Sequence, residues 1–370
     1  MKIKDIRASL HRHRFPIPFF DKKRDGSHMA ERRFVYCEVE TEDGLIGSGF
    51  TANFLLDPVV TALERNFLPV VKGMDPRNVE AIHDKVGRSL NQRTMTGVVS
   101  CALSALDIAL WDIQGKSQGL PVAQLLGGHK MDVPAYITFG LPAYDRDQLV
   151  DAAKAHKKAG FTGFKMVAGR VAGGWREDVK RVKAVREAVG PDAHLMVDAN
   201  YAFTPQEAKS FCQALEEYDL TWFEEPVAQN DAQSLADLRR STSVPLAAGQ
   251  AEGHRWRLRE FIDHRSVDVL QPNVAFCGGF TEARKVAHLA QAYNLPIANG
   301  GGLPLLNMHL LGAMSNGWLV EWHVTWIEAS ELIFKNPPRP KKSVLTIPNK
   351  PGLGLEIDRD GLKECRVAHT

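Results

Sequence analysis

Four oxygen-bearing side chains and one lysine stand where their spacing lets them meet. Asp198, Glu224 and Gln250 close short apolar runs, in Met196-Val-Asp-Ala-Asn200, Trp222-Phe-Glu-Glu-Pro226 and Ala247-Ala-Gly-Gln250, and lie 26 residues apart in both intervals. Equal spacing at the ends of like runs places them at one height on three adjacent strands. A hard divalent cation such as magnesium takes a few such oxygens and keeps other positions for water or substrate. One acid at a strand end serves equally well as a helix cap or an ion-pair partner. Three in step, with Glu321 across from them in Val320-Glu-Trp322, favour a metal site. Glu225 follows Glu224 directly, so strand alternation turns it away, toward helix packing. In Gly163-Phe-Lys-Met-Val167 the apolar Phe164 and Met166 take one face and leave Lys165 the other. A lysine facing inward beside a cation loses basicity and becomes a usable proton acceptor; its alternative is to snorkel to the rim.

Convergence of this kind needs a scaffold that brings many strand ends to one place. From about Met131 short apolar runs alternate with amphipathic stretches: 133–140, 161–168, 195–200, 220–226, 244–250, 267–273, 295–300 and 318–324. Between them 145–160, 177–189, 205–218 and 281–294 carry helical periodicity. Eight runs over residues 131–324 give roughly 24 residues per unit, enough for a strand, a helix and two turns in a parallel crossover. The fold class expected is α/β, a TIM-type (β/α) barrel. An open doubly wound sheet needs a glycine-rich phosphate turn after its first strand, and Phe139-Gly-Leu-Pro142 is not one. Residues 1–130, with strands at 33–40 and 45–51 and a helix over 97–116, read as an α+β capping domain. Residues 131–330 are the barrel, and 331–370, after the breaker Asn336-Pro-Pro-Arg-Pro-Lys-Lys342, a tail returning to the cap.

The 370 residues are 44% hydrophobic and 24% charged, with 46 basic against 44 acidic side chains. This excludes disorder as the main state and gives no basic field for nucleic acid. Five scattered cysteines, with no Cys-x-x-Cys, argue against a disulfide framework and a thiolate zinc site. No signal-peptide core and no stretch of membrane-spanning length is read from the sequence, so a cytoplasmic protein is expected. Gly26-Ser-His-Met29 is taken as native loop, since strand-like sequence precedes it.

Taken with Ala102-Leu-Ser-Ala-Leu-Asp-Ile-Ala-Leu-Trp-Asp112, Leu125-Leu-Gly-Gly128, Gly278-Gly-Phe-Thr-Glu282 and Pro351-Gly-Leu-Gly354, these residues make the chain resemble the enolase superfamily. Within it the likeness is to the mandelate racemase and muconate lactonizing enzyme group with its acid-sugar dehydratases. The resemblance implies a Mg2+ cofactor and loops near 15–32 and 51–55 closing over the barrel mouth. It also implies removal of the proton alpha to a carboxylate through a stabilised enediolate. Asp198 and Glu224 match the family's first two metal ligands, and Glu321 the eighth-strand acid. Asn200 matches a polar position near substrate, and Lys165 the first lysine of a Lys-x-Lys motif. Val167 stands in place of the second lysine, Gln250 of the third acidic ligand, Asn273 of an aspartate, and Gly300 of the histidine which that aspartate orients. Glu252 offers itself as a substitute for Gln250.

The expectation is a Mg-dependent lyase acting on a small-molecule carboxylate, a hydroxy acid or acid sugar. Asp198, Glu224 and Gln250 hold metal, Lys165 and Glu321 are catalytic, and Asn200, Asn273 and His323 bind substrate. His323 shares strand parity with Glu321; Tyr201 and His254 are further candidates at the mouth. A one-base epimerase or cycloisomerase is the enzymatic alternative, and a diverged barrel that only binds small molecules the non-enzymatic one. No nucleic acid or membrane partner is expected, and the resemblance suggests a homo-oligomer.

Overall fold

Alternating apolar residues from Ile3 to Val39 build the first sheet. The computed structural model describes residues 1–19, 28–52, 54–91 and 95–368. Strands β1 (Ile3–Pro16), β2 (Met29–Thr41) and β3 (Ile46–Ala52) form an antiparallel meander in the order β1-β2-β3. Helix α1 (Val79–Ser89) is followed by α2 (Val98–Gln118), which lies across β3. That approach needs glycine: a Cβ at Gly49 would stand 1.9 Å from the carbonyl oxygen of Ala105. By length and a mean hydropathy of 1.3, α2 alone among the described helices could cross a membrane. The sequence reading missed a stretch of that length. Most of α2 is buried inside the protein, so its apolar surface serves as core.

The apolar runs become parallel strands. β4 (Asp132–Gly140), β5 (Gly163–Val167), β6 (His194–Asp198), β7 (Trp222–Glu224), β8 (Leu246–Ala248), β9 (Val269–Leu270) and β10 (Val320–His323) pair in the order β10-β4-β5-β6-β7-β8-β9. The run at 295–300 is no regular strand. Isolated parallel bridges at Ile297, to Leu270 and to Gly317, carry the ring across that position. The result is a modified (β/α) barrel under an α+β cap. Helices alternate with the strands: α3 (Arg146–Lys158), α4 (Gly174–Val189), α5 (Pro205–Leu215), α6 (Ala232–Arg240), α7 (His254–Asp263), α8 (Gly279–Ala292), α9 (Pro304–Ala313) and α10 (Val324–Ile333). A capping box of Asp145 and Gln148 starts α3 and another of Thr204 and Glu207 starts α5.

Inward-facing residues stack in layers. Tyr136, Met196, Trp222, Ala247, Val269, Ala298 and Leu319 make an apolar floor with its own contacts. Two residues beyond Met196, Trp222 and Leu319 the chain turns polar, with Asp198, Glu224 and Glu321, and Lys165 of β5 joins them. Beyond the barrel, β11 (Phe334–Lys335) pairs with β13 (Glu356–Ile357), and β12 (Val344–Thr346) joins the start of β4. Helix α11 (Arg359–Glu364) then leads back to the cap, where Arg12 N–H donates to the Cys365 carbonyl at 2.8 Å and Val367 N–H to that of Leu10 at 2.9 Å. Part of the tail thus joins the barrel as well as the cap. Buried Asp107 on α2 bonds His83 at 2.7 Å and the Thr281 hydroxyl at 2.5 Å, joining cap helices to α8. Of the expected closing loops, residues 20–27 and 53, including part of Gly26-Ser-His-Met29, lie outside the described residues; Phe54 and Leu55 are exposed.

Candidate active site

Strand alternation sets Lys165 inside the barrel. Its ammonium donates to Glu224 Oε1 at 2.7 Å and lies 2.9 Å from Glu321 Oε1 and 3.4 Å from Asp198 Oδ2. It also sits 5.5 Å from the centre of the Tyr136 ring. Burial alone would drive its pKa down, but Glu224 and Glu321 outweigh this and raise it well above the usual value. In the protein as it stands Lys165 is a fixed cation. Three carboxylates surround the ammonium and hold its charge in place.

Glu224 also accepts from Trp222 Nε1 and from Gln271 Nε2, both at 2.9 Å. Burial, then the charge of Asp198, pushes its pKa up to about 8. Asp198 is raised by burial as well, and its Oδ1 accepts from the backbone N–H of Asn200 at 2.8 Å. Glu321 goes the other way: burial would raise it, but Lys165 pulls it down to about 2. The Thr138 hydroxyl and the Gly302 N–H donate to its two oxygens at 2.6 Å each.

Glu225 does not turn away. Strand β7 ends at Glu224, and at Glu225 the backbone enters the left-handed region with φ 45°. Alternation holds only along extended backbone, so the carboxylate swings to the mouth. There it accepts from Gln250 Nε2 at 2.6 Å and Asn230 Nδ2 at 2.9 Å, and burial lifts its pKa to about 8. Gln250 Nε2 lies 3.4 Å from Asp198 Oδ2. Holding the amide nitrogen this way frees Gln250 Oε1 to share a space with Glu224 Oε1: each would stand 2.9 Å from a Cβ at Gly300. Glycine leaves that space open. Glu252 is engaged elsewhere, by Asn230 at 3.2 Å and Arg257 at 3.1 Å.

The donor chemistry suits a hard divalent cation: two carboxylates and an amide oxygen converge, and the buried acids Asp198, Glu224, Glu225 and Glu321 outnumber Lys165 and Arg32. Among the described residues no group of three His, Cys, Asp or Glu side chains is arranged to hold a metal; Gln250 brings an amide, not a carboxylate, beside Asp198 and Glu224. Burial raises the pKa values of Glu224 and Glu225, and neighbouring carboxylates add to the rise.

The candidate substrate residues separate. Asn200 stands at the mouth with φ 45°, beside Tyr201. Asn273 is fully buried, and both ends of its amide are spent. Its Nδ2 donates to the carbonyl of Gly300 at 2.7 Å, and its Oδ1 accepts from Ala275 N–H at 2.9 Å and Asn307 Nδ2 at 3.0 Å. It braces the turn at 300–302 and has nothing left for a substrate. His323 ends β10 above Glu321. His254 faces Glu282, 3.3 Å away, outside this cluster. Arg32 of β2 was not singled out from the sequence. Its guanidinium lies 5.4 Å from the centre of the Trp326 ring, donates to the Thr325 hydroxyl, and interacts with Glu321. It is close in space but distant in sequence, and its only signal was its place as the last residue of the stretch 15–32 implied to close the mouth.

Residues 148–361 match the family described as Enolase C-terminal domain-like, and residues 24–127 match the Mandelate racemase / muconate lactonizing enzyme N-terminal domain. An arabinonate dehydratase of Saccharolobus solfataricus is 34% identical over 337 residues, 89% of each chain. A D-galactarolactone cycloisomerase of Agrobacterium fabrum is 32% identical over 382 aligned positions, 99% of each. The crystal structure of a racemase from Streptomyces coelicolor A3(2) with bound magnesium superposes with a TM-score of 0.90 at 29% identity, covering 99% of this chain and 100% of that one.

Proposed function

The chain belongs to the enolase superfamily, in its mandelate racemase and muconate lactonizing enzyme group, and from that premise we propose that it is a magnesium-dependent dehydratase of hydroxy acids or acid sugars. The chemistry general to such relatives, dehydration, racemisation or cycloisomerisation of acid sugars, is the frame within which the site is read.

The observation that carries the reading is the place of Lys165, between Asp198 and Glu224 on one side and Glu321 on the other. Magnesium held by Asp198, Glu224 and Gln250 would supply a Lewis acid for the substrate carboxylate and compete with Lys165 for the same acids. Lys165 is then the group whose proton can move: its ammonium gives one proton to solvent, and the neutral amine takes the proton from the carbon alpha to the carboxylate while the C–H electron pair passes into the enediolate. The enediolate expels the neighbouring hydroxyl, which takes that proton back from Lys165 and departs as water, leaving an enol that tautomerises to a 2-oxo acid. Glu321, held by Thr138 and Gly302, faces the developing charge. One group on one face suffices for elimination, whereas racemisation needs an acid and a base on opposite faces.

The experiment is a screen of aldonic and aldaric acids with MgCl2, read by 2-oxo acid formation and, in D2O, by deuterium incorporated at the carbon next to the new carbonyl. Turnover is expected to vanish in Lys165→Ala and to fall about 100-fold or more in Glu321→Gln. Unchanged turnover in Lys165→Ala would remove the mechanism. The cycloisomerase that matches along 99% of its length supports a second reading, a one-base cycloisomerase, which the same screen recognises by a product without loss of water. Binding of acid sugars without turnover would favour a binder.

A further inference from the structure

Strand β10 brings two side chains to the mouth on one parity, Glu321 and His323, and the second is tied in a way that dehydration by Lys165 does not require. Nδ1 of His323 accepts from the backbone N–H of Thr325 at 3.2 Å, capping α10, and lies 2.8 Å from the Thr325 hydroxyl. A backbone N–H can only donate, so Nδ1 meets it with a lone pair. A third group sets the direction of the hydroxyl. The Arg32 guanidinium donates to Thr325 Oγ1, and a guanidinium has no acceptor to offer in return. The hydroxyl therefore receives from Arg32 and points its own hydrogen at Nδ1. With Nδ1 so engaged, a neutral imidazole must carry its hydrogen at Nε2. Burial, reinforced by Arg32 and Lys165, keeps the ring neutral at ordinary pH, against the pull of Glu321. The ring is half-buried, and Nε2 has no hydrogen-bond partner among the described residues.

We infer that Arg32 and Thr325 are positioning residues that fix His323 as its Nε2–H tautomer, so that β10 offers the substrate a neutral hydrogen-bond donor beside Glu321 rather than a second base. The inference rests on the dehydratase reading. A neutral N–H near the forming enediolate, or near the oxygen it expels, gains strength as negative charge grows there. It also makes the active site depend on a cap residue, since Arg32 comes from β2 and its partners from the barrel.

The test is the imidazole nitrogen spectrum of the full chain labelled with 15N-histidine, with His323 assigned by its loss in His323→Gln. The expected result at pH 7 is one protonated and one unprotonated nitrogen, the proton at Nε2. Thr325→Val is expected to shift the pair toward a tautomer mixture, Thr325→Ser to restore it, and Arg32→Gln to fall between. On any acid sugar that the wild type turns over, Thr325→Val should lower kcat about 10-fold with KM changed less than 3-fold, and Thr325→Ser should recover it. A proton at Nδ1, a doubly protonated ring, or an unaltered spectrum in Thr325→Val overturns the tautomer lock. An altered spectrum with wild-type kcat overturns the donor role. If no acid sugar is turned over, the dehydratase reading and the donor role fall together, while the nitrogen spectrum still decides the lock.

Discussion

Lys165 holds the buried acids of the barrel mouth together and is held charged by them. That balance makes Gln250 the most informative position to alter. Gln250→Glu would place a third carboxylate against Glu225, which now takes a 2.6 Å hydrogen bond from the amide. The metal-free variant should melt lower than wild type, while Mg2+ binding by calorimetry should tighten about 10-fold, since a charged ligand replaces a dipole. Equal affinity in the two proteins would place the ion elsewhere. Acid stability has a sign that follows from Glu225. Its pKa rises from about 4.5 to about 8 on folding, so the native state keeps a proton that the unfolded chain has released. Its contribution is present below about pH 4.5 and lost as pH climbs through about 8. Glu321, lowered to about 2, is already ionised throughout that window and adds no slope. Buried histidines such as His254 and His309, lowered to about 4, oppose this slope up to about pH 6.5. In chelator-treated buffer the melting temperature should therefore fall between about pH 7 and about 8.5, and Glu225→Gln should reduce the fall, Glu224 supplying a like share. Residue type and spacing were enough to find Asp198, Glu224, Lys165 and Glu321, because extended backbone carries parity faithfully to a strand's last residue. Parity failed one residue later, at Glu225, where φ turns positive. It also could not reveal Arg32, whose partner Thr325 is 293 residues away along the chain.

The element that gives the site its shape is the turn at 300–302. Asn273, Asn299 and Asn307 all donate to its carbonyls, and its Gly302 N–H holds Glu321. Gly300 keeps open the space shared by Gln250 Oε1 and Glu224 Oε1. Gly300→Ala should cost about 1–3 kcal/mol in urea unfolding, because its methyl meets two fixed oxygens. It should also weaken Mg2+ more than any change at an outer helix of equal stability cost. Retention of full Mg2+ affinity would show that the two oxygens do not share a ligand. Eight apolar runs were legible because strands buried on both faces read as short uninterrupted hydrophobic stretches. The seventh was legible as a run but not as a strand: its pairing reduces to bridges at Ile297, and the glycines that follow it serve the turn instead. The helix over 97–116 was found, but its fifteen buried residues were not recognised as making it apolar enough to resemble a membrane span. Packing against β2, β3, α1 and α8 explains that composition.

At the scale of the molecule, the five cysteines are free and buried, distributed over cap, barrel and tail. Burial also lifts the thiol pKa of Cys101 and of Cys365 to about 11. Native protein should therefore show less than one reactive thiol toward a chromogenic disulfide over several minutes at pH 8, and five in guanidinium. Early release of one or two would reveal a part that opens independently of the rest.

The cap owes part of its outer border to residues made long after it. Strand β1 lies at one edge of its sheet, and the segment around Arg366 covers part of that edge through a bridge at His11. During synthesis at about 5–20 residues per second, roughly 20–70 s separate the two. A nascent chain must carry this long edge uncovered for that whole interval, and such an edge can recruit a strand from a neighbouring polypeptide. Deleting the segment 359–368 should therefore send the protein into inclusion bodies, with the soluble fraction on expression as the readout.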